Sequence, residues 1–413
     1  MSDKKQTINS NVETPKVALK VHKLTFWEAA YIIIGANIGS GILGLAYSSR
    51  LAGWPILLLW LIIAGFFTTV SMLYVAETTL RTKIPMQLPG LAEKYVGKIG
   101  SWLIFISVAA NSIGCLIAYM SGSGNIISEL LGLPTQVGSL IFAVPAIIVV
   151  WLGLKATGVA EKIIGTGMMV MVAIIIIASF LSGKADVNNV IYTNWTYAIP
   201  VFNVSIFCFI AQYTVPELAR GLSSEPKKLA PAISTGMIIT LVLLSLVPLA
   251  VLALTGPDNV TQVATIAWGR ALGQWAFFVA NIFALCAMMT SYWAVAGSFL
   301  TNIVDKFKLK SEWDVKTRII VVACIVIPPF ILAYGGFVSF VDAIYLAGTF
   351  GGVIMSIIPV LMLRSSRKNG DQEPAWKCGW ISHPVIQTLL IALFCGGAIY
   401  AIFDILGYLP SGW

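Results

Sequence analysis

The stretch Tyr31–Arg50, YIIIGANIGSGILGLAYSSR, is apolar enough to enter a bilayer, yet it carries its weakest point at its centre. Gly35, Gly39, Gly41 and Gly44 crowd the segment, and Asn37 and Ser40 set polar side chains among them. Glycine destabilises a helix interior by about 1 kcal/mol relative to alanine. A peptide group left unpaired in hydrocarbon costs several times more. Four readings of the stretch are open. GSGILG, residues 39–44, has the letters of a dinucleotide-binding GxGxxG, which needs a strand before it and an acidic residue about 20 positions on. The residues that follow here are LLLWLIIAG. GANIG, residues 35–39, has the GxxxG spacing that lets two membrane helices approach closely. A simple kink, with its freed groups satisfied by neighbouring helices, is the third reading. The fourth is a helix unwound in order to bind. Amides at the start of a half-helix favour a carboxylate, and freed carbonyls favour a cation. This reading accounts for the polar residues as well as the glycines, and an amino acid supplies both charges. It predicts exposed peptide groups between Ile38 and Ile42, and a second break in a later helix related by an inverted repeat.

The rest of the chain supplies the setting. Of 413 residues, 58% are hydrophobic and only 11% charged, with a mean hydropathy of +0.88. That is too little charge to coat a water-soluble domain of this size, whereas repeated apolar runs can cross a ~30 Å hydrocarbon core. The chain therefore reads as an all-α polytopic membrane protein. Loop signals divide it into eleven spans: 26–50, 55–81, 99–128, 138–154, 158–182, 195–217, 228–255, 265–304, 317–335, 339–363 and 384–408. With the N-terminus in the cytosol, these spans leave only Arg50, Lys184 and Arg270, of 26 basic residues, on the outer side. Such an imbalance is the positive-inside signal. It explains the net charge of +8 without a nucleic-acid partner. A cell-membrane protein is expected, with a cytosolic tail over 1–25 and an extracellular C-terminus over 409–413. The tail has no signal-peptide pattern.

Several chemistries are disfavoured. The six cysteines show no CxxC spacing, and all but Cys378 fall in apolar segments, so they read as small apolar packing residues rather than a disulfide framework or metal site. His22 and His383, the only histidines, lie at loop positions, and no HExxH is present. An enzyme would need convergent nucleophile, base or metal ligands in the bilayer, and these are not evident.

The candidate second break is in the sixth span, whose AIPVFNVSIFCFIAQYTVPELA (198–219) carries Pro200 and Pro216 near its ends with Asn203 and Ser205 between. Together with IGSGILGLAY (38–47), this segment resembles the amino acid/auxin permease family of the amino acid–polyamine–organocation superfamily, which includes sodium-coupled neutral amino acid transporters. The resemblance covers the whole membrane domain. It implies a leucine-transporter-type 5+5 inverted repeat, with spans 1–5 over 26–182, spans 6–10 over 195–363, and an added eleventh over 384–408. It implies that Gly39, Ser40 and Gly41 offer amides to a substrate carboxylate, while carbonyls around Phe202, Asn203 and Ser205 meet its ammonium. Sodium-coupled relatives often carry Asn where this chain has Gly35.

The eighth span contains NIFALCAMMTSYWAVAG (281–297). Ala287, Thr290 and Ser291, at i, i+3 and i+4, share one helical face. In the leucine-transporter fold this spacing gives one carbonyl and two hydroxyls to sodium, and the carbonyls of Gly35 and Ile38 would complete the site. The same hydroxyls could instead bond back to their own helix. Proton-coupled superfamily members carry a Lys in the fifth span, where Met168 aligns here. The expectation is a sodium-coupled importer of neutral amino acids, working by alternating access. Phe202, Phe207 and Phe209 could line a pocket for an apolar or aromatic side chain, and no cofactor beyond the coupling ion is implied. Proton coupling through Glu77, Glu217 or Asp342 is the alternative, as is a sensor that binds without transporting. Arg50 and Asp342 form a candidate extracellular gate.

Overall fold

The computed structural model describes residues 23–152, 158–309 and 314–409, without the side chains of 158–164. Residues 1–22 of the expected tail, the last four residues, and the loop charge Lys155 lie outside this description, as does the side chain of Lys162. Every regular element among the described residues is helical. Among the described residues, nine helices are long and apolar enough to cross a membrane, or ten if two shorter helices joined at a bend count as one span. In chain order the bent pair is α1 (Phe26–Ile38) and α2 (Ser40–Ser49), followed by α3 (Trp54–Leu80), α4 (Leu88–Val96), α5 (Lys98–Leu131), α6 (Thr135–Leu152) and α7 (Gly158–Leu181). The second half holds α8 (Ala198–Phe207), α9 (Val215–Gly221), α10 (Leu229–Thr255), α11 (Ala264–Leu272), α12 (Gln274–Lys306), α13 (Val315–Tyr334), α14 (Phe340–Leu346), α15 (Val353–Asn369) and α16 (Pro384–Ile405).

Local chemistry sets the boundaries. A capping box opens α1: the Thr25 N–H donates to Glu28 Oε2 at 2.8 Å, and the Glu28 N–H to Thr25 Oγ1 at 3.4 Å. The turn into α3 depends on Gly53, at φ +97°, where a Cβ would lie 2.0 Å from the Tyr192 carbonyl oxygen. Gly273, at φ +117°, divides the eighth span into α11 and α12, which the sequence reading had joined as one helix over 265–304. The short α4 was also unforeseen, because Pro85 and Pro89 mark a loop by composition. Here Pro89 sits in the first turn of α4, where its missing N–H costs nothing.

Polar contacts tie the helix ends together in two groups. At one end Lys306 donates to Ser101 Oγ at 2.7 Å, Lys94 pairs with Asp371, and Arg318 donates to the carbonyls of Val150 and Trp151. Lys94 holds the Asp371 carboxyl below the usual carboxylate range. At the other end Arg270 pairs with Glu129, Lys184 donates to the Ala271 carbonyl, and Tyr192 to that of Arg50.

The basic end also contains a buried clasp. Glu77, 0% exposed, accepts from Arg81 Nε and Nη2 at 3.0 and 2.9 Å and from Arg367 Nε and Nη2 at 2.9 Å each. Its fifth donor is the Cys378 N–H at 2.6 Å. One carboxylate thereby joins the end of α3 to α15 and to the segment that follows it.

Helix α5 runs through the centre against α6, α12, α13 and α14, while α1 packs on α10 and α7. Outside, Ile62, Phe66, Leu140, Ile148, Ile177 and Ile320 are 42–63% exposed, an apolar surface that suits lipid rather than water.

Candidate functional site

The break in the first span is a single residue. Helix α1 ends at Ile38, α2 begins at Ser40, and the axis turns by 45° at Gly39. The interruption is thus narrower than the expected Ile38–Ile42, because Gly41 and Ile42 already belong to α2. Gly39 has no side chain to cap α2, so the first amides of that helix face forward without an intrahelical partner. Ser40 is fully buried, and its Oγ has no hydrogen-bond partner.

What faces Gly39 is polar. A Cβ there would lie 2.8 Å from Tyr119 Oη and 3.2 Å from Ser291 Oγ. Gly35 has nothing within 4 Å of its own Cβ position, so the GxxxG spacing does not bring two backbones together. The GxGxxG letters follow the helix α1, where a dinucleotide fold would require a strand.

The second break falls one turn later than the sequence suggested. Phe202, Asn203 and Ser205 lie inside α8, whose ladder is intact there. Phe202 stacks between Trp60 and Phe394, with ring centroids 4.7 and 6.2 Å away. Asn203 Nδ2 donates to the Gly397 carbonyl at 3.2 Å, and Ser205 Oγ to that of Val201 at 2.7 Å. Neighbouring α16 and the helix's own backbone hold these side chains, and none of the three lines the cavity described below. The chain leaves helical geometry at Cys208–Ala211, then re-enters through a 3₁₀ turn, Gln212–Thr214, into α9. There the two breaks meet: a Cβ on Gly41 would lie 2.7 Å from Cys208 Sγ. Phe207 and Phe209, expected to line a pocket, divide: Phe207 does so, while the Phe209 ring packs against Gly65 of α3.

Between the breaks is a small cavity, with ≈ 10 Å³ of room for a water-sized group. Asn37, Gly39, Ser40 and Gly41 line it from the first span, and Phe207, Ile210 and Tyr213 from the second. Helix α5 adds Asn111, Cys115 and Tyr119, and α12 adds Val295. None of these lining residues is charged. Asn37 Oδ1 and Asn111 Oδ1 are buried without partners, as is Ser40 Oγ, while Asn37 Nδ2 points to Met237 Sδ at 3.3 Å. Buried polar atoms normally find a partner, and three orphans in one cavity mark a place for a polar ligand. The sequence reading missed Asn111 and Tyr119, two among several polar residues of a 34-residue helix. Their signal is spacing: Asn111, Cys115 and Tyr119, each four apart, share one face.

The proposed sodium ligands are partly assembled. Ala287 is fully buried, and Ser291 reaches the Gly39 break. Thr290 Oγ1 bonds back to the carbonyls of Cys286 and Ala287 at 3.1 and 3.0 Å. Ile38 ends α1 beside them, whereas Gly35 is exposed. The candidate proton carriers are engaged elsewhere: Glu77 in its clasp, Glu217 with Arg220 at 3.6 Å, and Asp342 with Ser339 Oγ at 2.6 Å. The Arg50 guanidinium lies 3.9 Å from the centre of the Tyr47 ring, and no ion pair joins it to Asp342 among the described residues. Met168 packs partly buried against the core.

The sequence model of the tryptophan/tyrosine permease family matches residues 22–402, from the first span into the last. The chain belongs to that family. Among the members it resembles is the tryptophan-specific transport protein of Pseudomonas aeruginosa, 25% identical over 92% of this chain and 95% of that one. The tryptophan-specific transport protein of Haemophilus influenzae is 27% identical over 83% and 88%. Tyrosine-specific transport system 1 of the same organism is 25% identical over 92% and 97%. The family is one of transport proteins, not enzymes. In shape the permease chain is similar to the manganese transporter of Eremococcus coleocola, with a TM-score of 0.59 and 14% identity over 93% of this chain and 89% of that one. This likeness places it in an all-helical membrane-transporter fold. Among the described residues, no group of three or more His, Cys, Asp or Glu could hold a metal ion.

Proposed function

We propose that this permease is a secondary active transporter that imports aromatic amino acids of the tryptophan and tyrosine class. The observation that carries the reading is the cavity at the two breaks, where the uncapped start of α2 adjoins three unpartnered buried polar atoms. The α2 amides would hold the substrate carboxylate, and carbonyls at the ends of α1 and α8 would hold its ammonium. Phe207, Ile210 and Val295 give the ring apolar walls. The names of the relatives support the same class.

The reading extends to alternating access in a leucine-transporter-type 5+5 repeat of eleven spans, akin to the amino acid/auxin permeases. In support, each broken span opens one expected repeat, and α7 stands where the fifth span is expected. The N-terminus is assigned to the cytoplasm and the C-terminus to the exterior of the cell membrane, from the distribution of basic residues. Sodium is the assigned coupling ion, since Ser291 reaches the Gly39 break, Ala287 and Thr290 belong to the same helix, and no carboxylate lines the cavity.

Purified protein in vesicles tests the proposal. Tryptophan or tyrosine uptake should rise with an inward sodium gradient and persist when the proton gradient is dissipated. Uptake that ignores sodium and collapses with the proton gradient would overturn the ion assignment. Saturable binding without any flux would make the protein a sensor.

A further inference from the structure

We infer that Asn111 is a specificity-determining residue: its side-chain oxygen reads a hydrogen-bond donor on the substrate ring, an indole N–H or a phenol O–H, and so selects against phenylalanine. The inference rests on the aromatic-substrate reading and deepens it. Asn111 is 4% exposed, lines the cavity, and leaves Oδ1 without a partner. The other two orphans, Asn37 and Ser40, flank Gly39 and belong to the break that takes the carboxylate and ammonium. Asn111 comes from a different helix and stands apart from them.

The spacing fits a ligand lying along α5. Tyr119 marks the Gly39 end of the cavity, its hydroxyl 2.8 Å from the Gly39 Cβ position. Asn111 is eight residues earlier, about 12 Å along the helix axis. That compares with the length of an aromatic amino acid from carboxylate to ring donor, with a hydrogen bond at each end. Cys115 lies between them on the same face, a small floor for a ring, with Phe207, Ile210 and Val295 also on the cavity wall. A polar end, an apolar middle and a polar end match the order of groups in tryptophan or tyrosine. Phenylalanine would leave Asn111 buried and unpaired, and sites built around a substrate donor discriminate strongly against analogues that lack it.

Asn111 is also held firmly from behind. Between α14 and α15, residues Ala347–Gly352 form a π-helical turn. A Cβ on Gly351 of that turn would sit 2.6 Å from Asn111 Cβ and 3.0 Å from its Cα. Ser107, one turn earlier on α5, donates to the Gly351 carbonyl. The Asn111 backbone is thus pressed against the turn, which fixes the origin of its side chain.

The test is competition for uptake by tryptophan, tyrosine and phenylalanine in wild-type protein, Asn111→Leu and Asn111→Ser, each reconstituted in vesicles. Wild type should favour tryptophan or tyrosine over phenylalanine. Asn111→Leu should raise half-saturation for the preferred substrate about tenfold, the loss of one buried hydrogen bond, while changing that for phenylalanine less than about twofold. Asn111→Ser keeps an oxygen and should show intermediate selectivity, which guards against a leucine variant that fails to fold. Equal loss for all three substrates, or unchanged ratios, would overturn the inference and leave the transport reading intact. Absence of aromatic amino acid uptake in wild type would instead remove the transport reading, and this inference with it.

Discussion

The two breaks in this permease border one cavity but are made by different means. The first is written into the chain: Gly39 ends one helix and starts another, with Gly41 two residues on. The second, Cys208–Ala211, contains no glycine or proline, and its sequence CFIA reads as ordinary membrane helix. It opens against its surroundings, with Cys208 on Gly41 and the Phe209 ring 3.0 Å from the Cβ position of Gly65. One discontinuity is coded locally, and the other is imposed by the structure around it.

That difference can be broken experimentally at the first break. Gly39→Val would drive side-chain atoms onto Tyr119 Oη and Ser291 Oγ, closing the ground in front of the α2 amides. Losing one or two charge-assisted hydrogen bonds should lower substrate affinity roughly 100-fold, with the protein still folded, as substrate titration and thermal unfolding would show. Gly41→Ala tests whether the breaks depend on each other. Its methyl group would meet Cys208 Sγ at 2.7 Å, whereas the Cys208 Cα and Cβ lie 3.4 Å away, at ordinary contact distance. The single variant should lose about tenfold in affinity, and Cys208→Ala in the same chain should restore most of it, a coupling expected only of residues in contact. If Cys208→Ala gives no rescue, the second break does not lean on the first.

Smaller effects sharpen the contrast. Thr290→Ala removes a hydroxyl assigned to sodium and should raise the sodium concentration for half-maximal uptake about three- to tenfold, with substrate affinity at saturating sodium unchanged. An unaltered sodium curve would refer Thr290 to its helix bonds with Cys286 and Ala287 alone. Asn203→Leu should act on stability only. Its bond to the Gly397 carbonyl contributes about 1 kcal/mol, to be seen in thermal unfolding, while half-saturation for substrate stays within about twofold.

What the sequence disclosed follows from the same division. Glycines and the apolar composition act locally, so the membrane class and the first break could be read from the long apolar runs and Gly39. Phe202, Asn203 and Ser205 were conspicuous as polar and aromatic marks in the sixth span, yet their partners are Trp60, Gly397 and Val201. A polar residue in a membrane helix shows that some partner exists without saying whether it is a ligand or another helix. Asn111 and Tyr119 were hidden for the converse reason. Their role depends on which face of α5 meets the breaks, and that is decided by segments far away in sequence.

The Glu77 clasp bears on how the molecule responds to salt. Pairs such as Lys228–Glu225 and Lys377–Glu373 are about half exposed or more, so mobile ions weaken them. Glu77 has five donors and no water surface, so salt screens its attraction much less, even though Arg367 is partly exposed. In strong brine the rim of the protein would loosen its decorative charges while the junction of α3 and α15 stayed fastened.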